Sequence, residues 1–402
     1  MTVLVPESLR ALQEQVRTLH AEAAPWLPAG LGSRLTWGPA VSQASTVLSC
    51  RNLRGVLAHN PGDFTVTVAA GTPLLEVQEA LAHHGQWLSL DAPWGEAPGS
   101  IGGLVARGLS GGYRQRYLGV RDQLLGVQLL RSDGVLARAG GKVVKNVAGY
   151  DLMRLISGSW GSLGLITELT LRTQPIPPQR RCLLIQGELP LLQQLCRWLR
   201  DSSLSPERLD LGNARWAAEA GLSPQPLLLV ALASIDAATL AEQITCIRGQ
   251  AQQMEQALGT EPGLTLEELK ANELEPLLAA QRGCNTQADW LLRLVVPPAQ
   301  CATLLASGEL QGAAVVLAAG SGCGDGWAQT GALPRHRVEA LRRRCHALGG
   351  HLSVLRQPQP ATGAAAVPAW LDAPSRPLIE AVKRQFDPLQ QLARGRLPGV
   401  AG

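Results

Sequence analysis

Several large protein classes are excluded by what this 402-residue chain lacks. Lys and Arg exceed Asp and Glu by only 4, far short of the domain-wide basic excess that a nucleic-acid surface requires. The eight cysteines stand singly with no Cys-x-x-Cys pair, so a zinc or iron–sulfur site held by this chain is not expected. Buried, reduced thiols in a cytoplasmic protein are the expectation instead. Histidines are isolated apart from His83-His84, and neighbours on a helix point about 100° apart, too far round to chelate one ion. No metal pattern emerges. No apolar run approaches the ~18 residues that span a bilayer. Glu7 and Glu14 in an amphipathic N-terminal pattern speak against a signal peptide. The glycine fingerprint of dinucleotide folds and the P-loop are both absent.

Glycine is plentiful, with 43 residues, and its densest stretch runs from Pro98 to Pro175. That stretch alternates glycine clusters with short apolar strands and holds all three tyrosines, Tyr113, Tyr117 and Tyr150. Glycine lets main-chain N–H groups approach a ligand closely, and successive N–H groups form concavities for anions such as a pyrophosphate. The pattern predicts a cradle for a large, flat, phosphate-bearing cofactor.

The length predicts two domains. Leu9, Leu12, Val16 and Leu19 have helical spacing. Residues 46–50 and 65–70 read as strands, and Thr72-Pro73 is expected to cap a helix running to about His84. Residues 124–130 and 163–171 read as strands, with a hairpin turn at Asp133-Gly134. Gln174-Pro175-Ile176-Pro177-Pro178 is a stiff linker and the expected boundary. Beyond it, helical patterns at 190–200, 237–258 and 264–280 alternate with strands at 227–233, 290–296 and 313–318, an α+β arrangement. Arg342, Arg343 and Arg344 read as a solvated helix face, and residues 377–386 as a last helix.

Three glycine clusters carry the chemistry. The first holds Gly30, Leu31, Gly32, Ser33 and Arg34, where a tight turn and a hydroxyl suit phosphate oxygens. Pro98, Gly99, Ser100, Gly102 and Gly103 make the second, and Gly111 and Gly112 the third. Arg107, Arg114, Arg116 and Arg121 surround them, and arginine forks suit phosphate or carboxylate. Gly161, Gly164 and Ile166 close the region with a turn feeding a strand. The stretch from Lys145 to Asp151 gathers a cation, an amide, a phenol and a carboxylate. It reads equally as a buried hydrogen-bonded corner or as a ligand contact.

Taken in order, these motifs resemble the flavin-binding domain of the vanillyl-alcohol oxidase and p-cresol methylhydroxylase (PCMH-type) superfamily. Within it they are most similar to the FAD-binding subunits of bacterial glycolate oxidase (glycolate dehydrogenase). The resemblance is dense over residues 25–175 and returns in Lys383-Arg384-Gln385-Phe386-Asp387-Pro388. It implies an α+β fold. A PCMH-type FAD-binding domain of two α+β subdomains spans 1–175, and an α+β domain like the C-terminal domain of FAD-linked oxidases spans 176–376. A tail, 377–402, returns to the first domain. It implies FAD, its pyrophosphate held by residues 30–34 and 99–103, the isoalloxazine near Gly111, Gly112 and Arg116, and main-chain contacts from Ile166. Some members tether flavin through a histidine in the first glycine turn. Gly32-Ser33-Arg34 has none, so FAD is expected to be non-covalent.

The resemblance further implies a subunit of a glycolate or other 2-hydroxy-acid oxidase complex, with a catalytic flavoprotein subunit and an iron–sulfur subunit as partners. That complex would be cytoplasmic, with any membrane association peripheral. Related catalytic chains carry His-x-Gly-Asp-Gly-Asn-x-His. The nearest stretch here, Gly322-Cys323-Gly324-Asp325-Gly326-Trp327, has no histidine, and the general base is left unassigned. Tyr113, Arg114 and Tyr150 are the candidates for orienting a substrate. A scaffold that keeps FAD for stability and a lone flavin oxidoreductase with another substrate are the alternatives.

Overall fold

A computed structural model describes residues 2–41, 44, 46–91, 99–144, 150–258, 263–269, 277–278, 288–358 and 366–401. Pro98 and the 145–149 stretch lie outside the described residues. The first helix, Leu9–Ala21, starts where the Ser8 hydroxyl accepts from the Ala11 N–H, and it buries Leu12, Val16 and Leu19 on one stripe, as the spacing predicts. Strands β1 (Thr2–Leu4), β2 (Trp26–Ala29) and β3 (Thr46–Ser49) make a parallel sheet in the order β1-β3-β2. Strands β4 (Val56–Asn60), β5 (Thr65–Ala69), β7 (Leu124–Leu130), β8 (Leu136–Gly140) and β9 (Leu165–Arg172) make an antiparallel sheet in the order β4-β5-β9-β7-β8. The β7–β8 hairpin turns at Gly134 with φ of 77°. The short β6 (Gln86–Trp87) pairs with β10 (Gln174–Pro175).

After the proline-rich link the chain builds one antiparallel sheet. Its strands are β11 (Gln179–Gly187), β12 (Arg208–Gly212), β13 (Leu227–Ser234), β14 (Leu264–Leu269), β15 (Trp290–Val295), β16 (Ala314–Ala318), β17 (Cys323–Ala328) and β18 (His351–Arg356). Their order is β14-β11-β13-β12-β16-β17-β15-β18. Alternation along the strands sends Leu183, Ile185, Leu228 and Val230 to one face, under the helices Leu189–Asp201, Ala237–Leu258 and Arg335–Ala347. Cys182, Leu184, Leu229, Trp327 and Leu355 go to the other face, which packs on Trp37 and on the partly buried Leu109 and Trp160. The second sheet thereby packs on the loop that carries Ser110 and Gly112.

Three expectations are corrected. Residues 264–269 form the edge strand β14, paired along β11, and not the start of a helix; strand pairing overrides the helical propensity of the Leu-Glu pattern. Thr72 does not cap the helix Leu74–Ala82, whose cap position is Pro73. Its hydroxyl donates to the Ala69 carbonyl at 2.6 Å instead. Arg342 is buried at 8% exposure, and its guanidinium donates to the Pro368 and Ala369 carbonyls.

The last helix, Arg376–Phe386, anchors the chain end. Lys383 Nζ donates to Asp387 Oδ2 (2.6 Å), the Ser162 carbonyl (2.7 Å) and the Leu392 carbonyl (2.8 Å). Gln391 Nε2 reaches the Leu19 and Ala24 carbonyls, and Leu392 bridges to Trp26. The tail thus lies on the first domain and delivers Arg396 to the glycine loops.

Candidate functional site: a glycine-walled, arginine-bearing cleft

Residues 28–35, 99–107 and 160–166, together with Cys50 and Arg396, contribute to the walls of one cleft. The first and second glycine clusters touch, since a Cβ on Gly30 would overlap the Ser100 hydroxyl. Ser49 Oγ holds the first turn by donating to the Gly30 carbonyl at 2.6 Å, and Gly32 adopts φ of +75°, a conformation open to glycine at no steric cost. Leu31, Ser33 and Arg34 complete that turn. Gly99, Ser100, Gly102 and Gly103 form the facing wall, with Gly161, Gly164 and Ile166 at one end.

The second loop is tightly built into the fold. The Ile101 N–H donates to the Thr72 carbonyl and that of Gly102 to the Ala70 carbonyl, each at 2.9 Å. The Gly103 N–H donates to Ser100 Oγ at 3.2 Å. These three N–H groups are therefore committed within the protein. The charge in the cleft comes from side chains. Arg34, Arg107 and Arg396 line it, and no Asp or Glu among the described residues does. The guanidinium carbons of Arg34 and Arg107 lie 5.4 and 5.3 Å from the Trp37 ring. Burial disfavours the charge on all three arginines, and Arg34 adds repulsion at Arg107. An anion is the missing complement. Close main-chain walls, a buried guanidinium nitrogen on Arg107 without a partner among the described residues and the net positive lining fit a diphosphate-bearing cofactor.

Gly111 and Gly112 lie elsewhere. The Gly111 and Tyr113 N–H groups both donate to Asp91 Oδ2 at 3.0 Å, so this nest of N–H groups is filled by a carboxylate of the protein itself. A Cβ on Gly112 would collide with the Asp210 carboxylate and lie 2.7 Å from Arg208 Nε. Arg208 pairs with Asp91 (3.3 Å) and Asp210 (2.6 Å). Burial opposes its charge, but Asp210 and Asp91 outweigh that and hold its pKa above the ordinary value. Next to it, Arg293 pairs with Asp325 at 3.0 Å and donates to the Ser110 carbonyl. Burial raises the Asp325 pKa to about 6, against the pull of Arg293. These charges, on one face of the second sheet, hold it against the loop that carries Ser110 and Gly112.

The remaining candidates are dispersed. Tyr113 stacks edge-on against Trp87 (5.2 Å) under the Arg208 guanidinium (4.8 Å), and burial raises its pKa. Arg116 is exposed on the short helix Arg114–Tyr117. Arg114 lines a second cavity of about 1520 Å³, bounded also by Arg293, His351 and Trp370. Trp160 borders both cavities. Tyr150 is 86% exposed and lines neither. Sequence reasoning passed over Trp37, Asp91 and Arg208, which are distant in sequence and carry no local motif. Arg107 had a signal in its place four residues after Gly103, whose carbonyl its Nε reaches at 3.1 Å. Among the described residues no cluster of His, Cys, Asp or Glu could hold a metal ion, and no helix is long and apolar enough to cross a membrane.

Residues 2–140 match the FAD binding domain family. The glycolate oxidase subunit GlcE of Escherichia coli (strain K12) is 35% identical over 192 residues, which are 47% of this chain and 54% of that protein. D-2-hydroxyglutarate dehydrogenase of Xanthomonas citri pv. viticola is 34% identical over 197 residues, 48% of this chain and 41% of that one. The glycolate oxidase subunit GlcD of Bacillus subtilis (strain 168) is 31% identical over 183 residues, 45% and 38% of the two chains. The chain thus spans about half or less of the length of these relatives. In fold it is similar to alkyldihydroxyacetonephosphate synthase, with a TM-score of 0.69 at 15% identity, covering 98% of this chain and 75% of that one.

Proposed function

We propose, from the match of residues 2–140 to the FAD binding domain family and the similarity to glycolate oxidase subunits, that the chain is a PCMH-type flavoprotein and the FAD-binding subunit of a 2-hydroxy-acid oxidase or dehydrogenase complex. Glycolate is the proposed substrate of that complex. The observation that carries the reading is the cleft where two glycine loops meet under three arginines with no acid among the described lining residues.

When bound, FAD supplies a two-electron acceptor that can pass electrons on singly. Residues 30–34 and 99–103 would hold its diphosphate, and Gly161, Gly164 and Ile166 the main chain at one end. Trp160 in the cleft wall, and Trp37 behind the Arg34 and Arg107 guanidinium groups, would keep water from the bound group. With Ser33 and Arg34 where a tethering histidine would sit, the cofactor is held by contacts alone. The division of the chain near Pro175 is likewise part of this reading, supported by sheets that each pair within one side of it.

A scaffold or electron-relay role within the complex is favoured by one particular of β17. Its Asp325 carboxylate is engaged by Arg293, which is itself tied to the Ser110 carbonyl. A general base must reach a substrate hydroxyl with a suitable pKa, and this carboxylate is 1% exposed inside the domain interface. The substrate-oxidising base would then come from the catalytic flavoprotein subunit, with an iron–sulfur subunit taking the electrons and the assembly lying in the cytoplasm. Stopped-flow mixing of the FAD-loaded chain with glycolate or D-lactate tests this. A flavin that stays oxidised alone but bleaches once the partner subunits are added supports the relay reading. Rapid bleaching by the isolated chain overturns it in favour of direct catalysis, and a chain that takes up no FAD overturns both.

A further inference from the structure

Three N–H groups of the second glycine loop are already spent on Thr72, Ala70 and Ser100 and are not free to grip a diphosphate. Arg107 is differently placed. Its Nε is bound to the Gly103 carbonyl at 3.1 Å, which fixes the plane of the guanidinium, while its Nη1 is buried with no hydrogen-bond partner among the described residues. A buried guanidinium nitrogen left without an acceptor is costly, because it has lost water and gained nothing. Moreover, the nearest charge contributing at Arg107 is another cation, Arg34. Both guanidinium groups converge on one point: a Cβ built on Gly99 would lie 2.8 Å from Arg34 Nη1 and 3.8 Å from Arg107 Nη2. The indole of Trp37 keeps both in place from one side.

We propose that Arg107 is the diphosphate-recognising residue of this cleft, its guanidinium donating to a phosphoryl oxygen of the bound dinucleotide beside Gly99. This rests on the reading of the cleft as an FAD site and adds which group supplies the charge. It follows that the empty protein is destabilised by Arg107 and the loaded protein is held by it. A residue with a merely structural role would not give opposite signs in the two states. Arginine also matters here as a fork, because a lysine offers a point charge that cannot keep the Gly103 bond and the phosphoryl bond in one plane.

The test compares wild type with Arg107→Gln and Arg107→Lys. Flavin-fluorescence titrations with FAD and with riboflavin, which lacks phosphate, are run beside thermal melts of the flavin-free chains. Arg107→Gln is expected to weaken FAD binding about ten- to a hundredfold, the range of a charged hydrogen bond. It should leave riboflavin binding unchanged and leave the flavin-free Tm equal to or above wild type. Arg107→Lys should recover part of the FAD affinity. Equal losses for FAD and riboflavin, or a lower Tm of the flavin-free variant, overturn the proposal while the FAD reading stands. Should wild type bind no FAD, protection of wild type by inorganic pyrophosphate, lost in Arg107→Gln, would sustain the anion site without the flavin. The absence of both would overturn the two together.

Discussion

Glycine, at the level of single residues, does two different jobs in this chain. Gly30 and Gly32 let the first turn meet Ser100 and bend through a positive φ, and both line the cleft. Gly111 and Gly112 look alike in sequence but admit the carboxylates of Asp91 and Asp210. Glycine density reports that something comes close to the backbone, and it does not report what. Asp325 is the residue whose environment makes the sharpest solution prediction. Its pKa is raised from an ordinary 3.8 to about 6 by burial. The stability it contributes is therefore present below the unfolded value and lost as pH rises through about 6. Relative to Asp325→Asn, the wild type should lose at most about 3 kcal/mol between pH 4 and pH 7. Denaturant titrations of both proteins at the two pH values measure it. A difference that is flat with pH, or that grows in favour of wild type, would refute the assignment.

Among the elements, the C-terminal helix and its following turn are the most informative. Lys383 and Asp387 are 6% and 0% exposed and 2.6 Å apart, and Asp387 also accepts from the Gln391 and Leu392 N–H groups. Burial lowers the Lys383 pKa, against the pull of Asp387, yet the ammonium satisfies two carbonyls as well. Removing one partner strands the other in a dry site, so Lys383→Met should destabilise the fold by about 3–5 kcal/mol in denaturant unfolding. It should also loosen Arg396 from the cleft, read as weaker FAD binding. The helix and the returning Lys383–Pro388 stretch were legible in the sequence, but the burial that makes this lysine–aspartate pair matter was not. Strand β14 was not legible: its Leu-Thr-Leu-Glu-Glu-Leu sequence suits a helix, and only the exposed edge of β11 makes it a strand. Nor was Arg342, whose burial depends on carbonyls 26 and 27 residues away.

Across the whole molecule, the cleft is assembled from segments far apart in the chain, from Pro28 to Arg396. Its walls are the glycine loops and the turn at residues 160–166, and one of its arginines, Arg396, arrives on the tail. Ligand binding should therefore stabilise the entire chain. At a free FAD concentration 100-fold above Kd the gain is about 2.7 kcal/mol, visible as a rise in Tm. Heat or acid precipitation should release all the flavin to the supernatant; yellow colour remaining in the pellet would indicate a covalent link. By itself, the sequence settled the glycine loops, their order and the class of ligand they suit, because those depend on local backbone conformation and residue chemistry. It also settled the absence of the histidine motif. Only the tertiary structure decided which N–H groups are already occupied, that Asp91 fills the third glycine cluster, and that Arg34, Arg107 and Arg396 converge. Burial and charge pairing arise between segments far apart in the chain, and no local pattern encodes them.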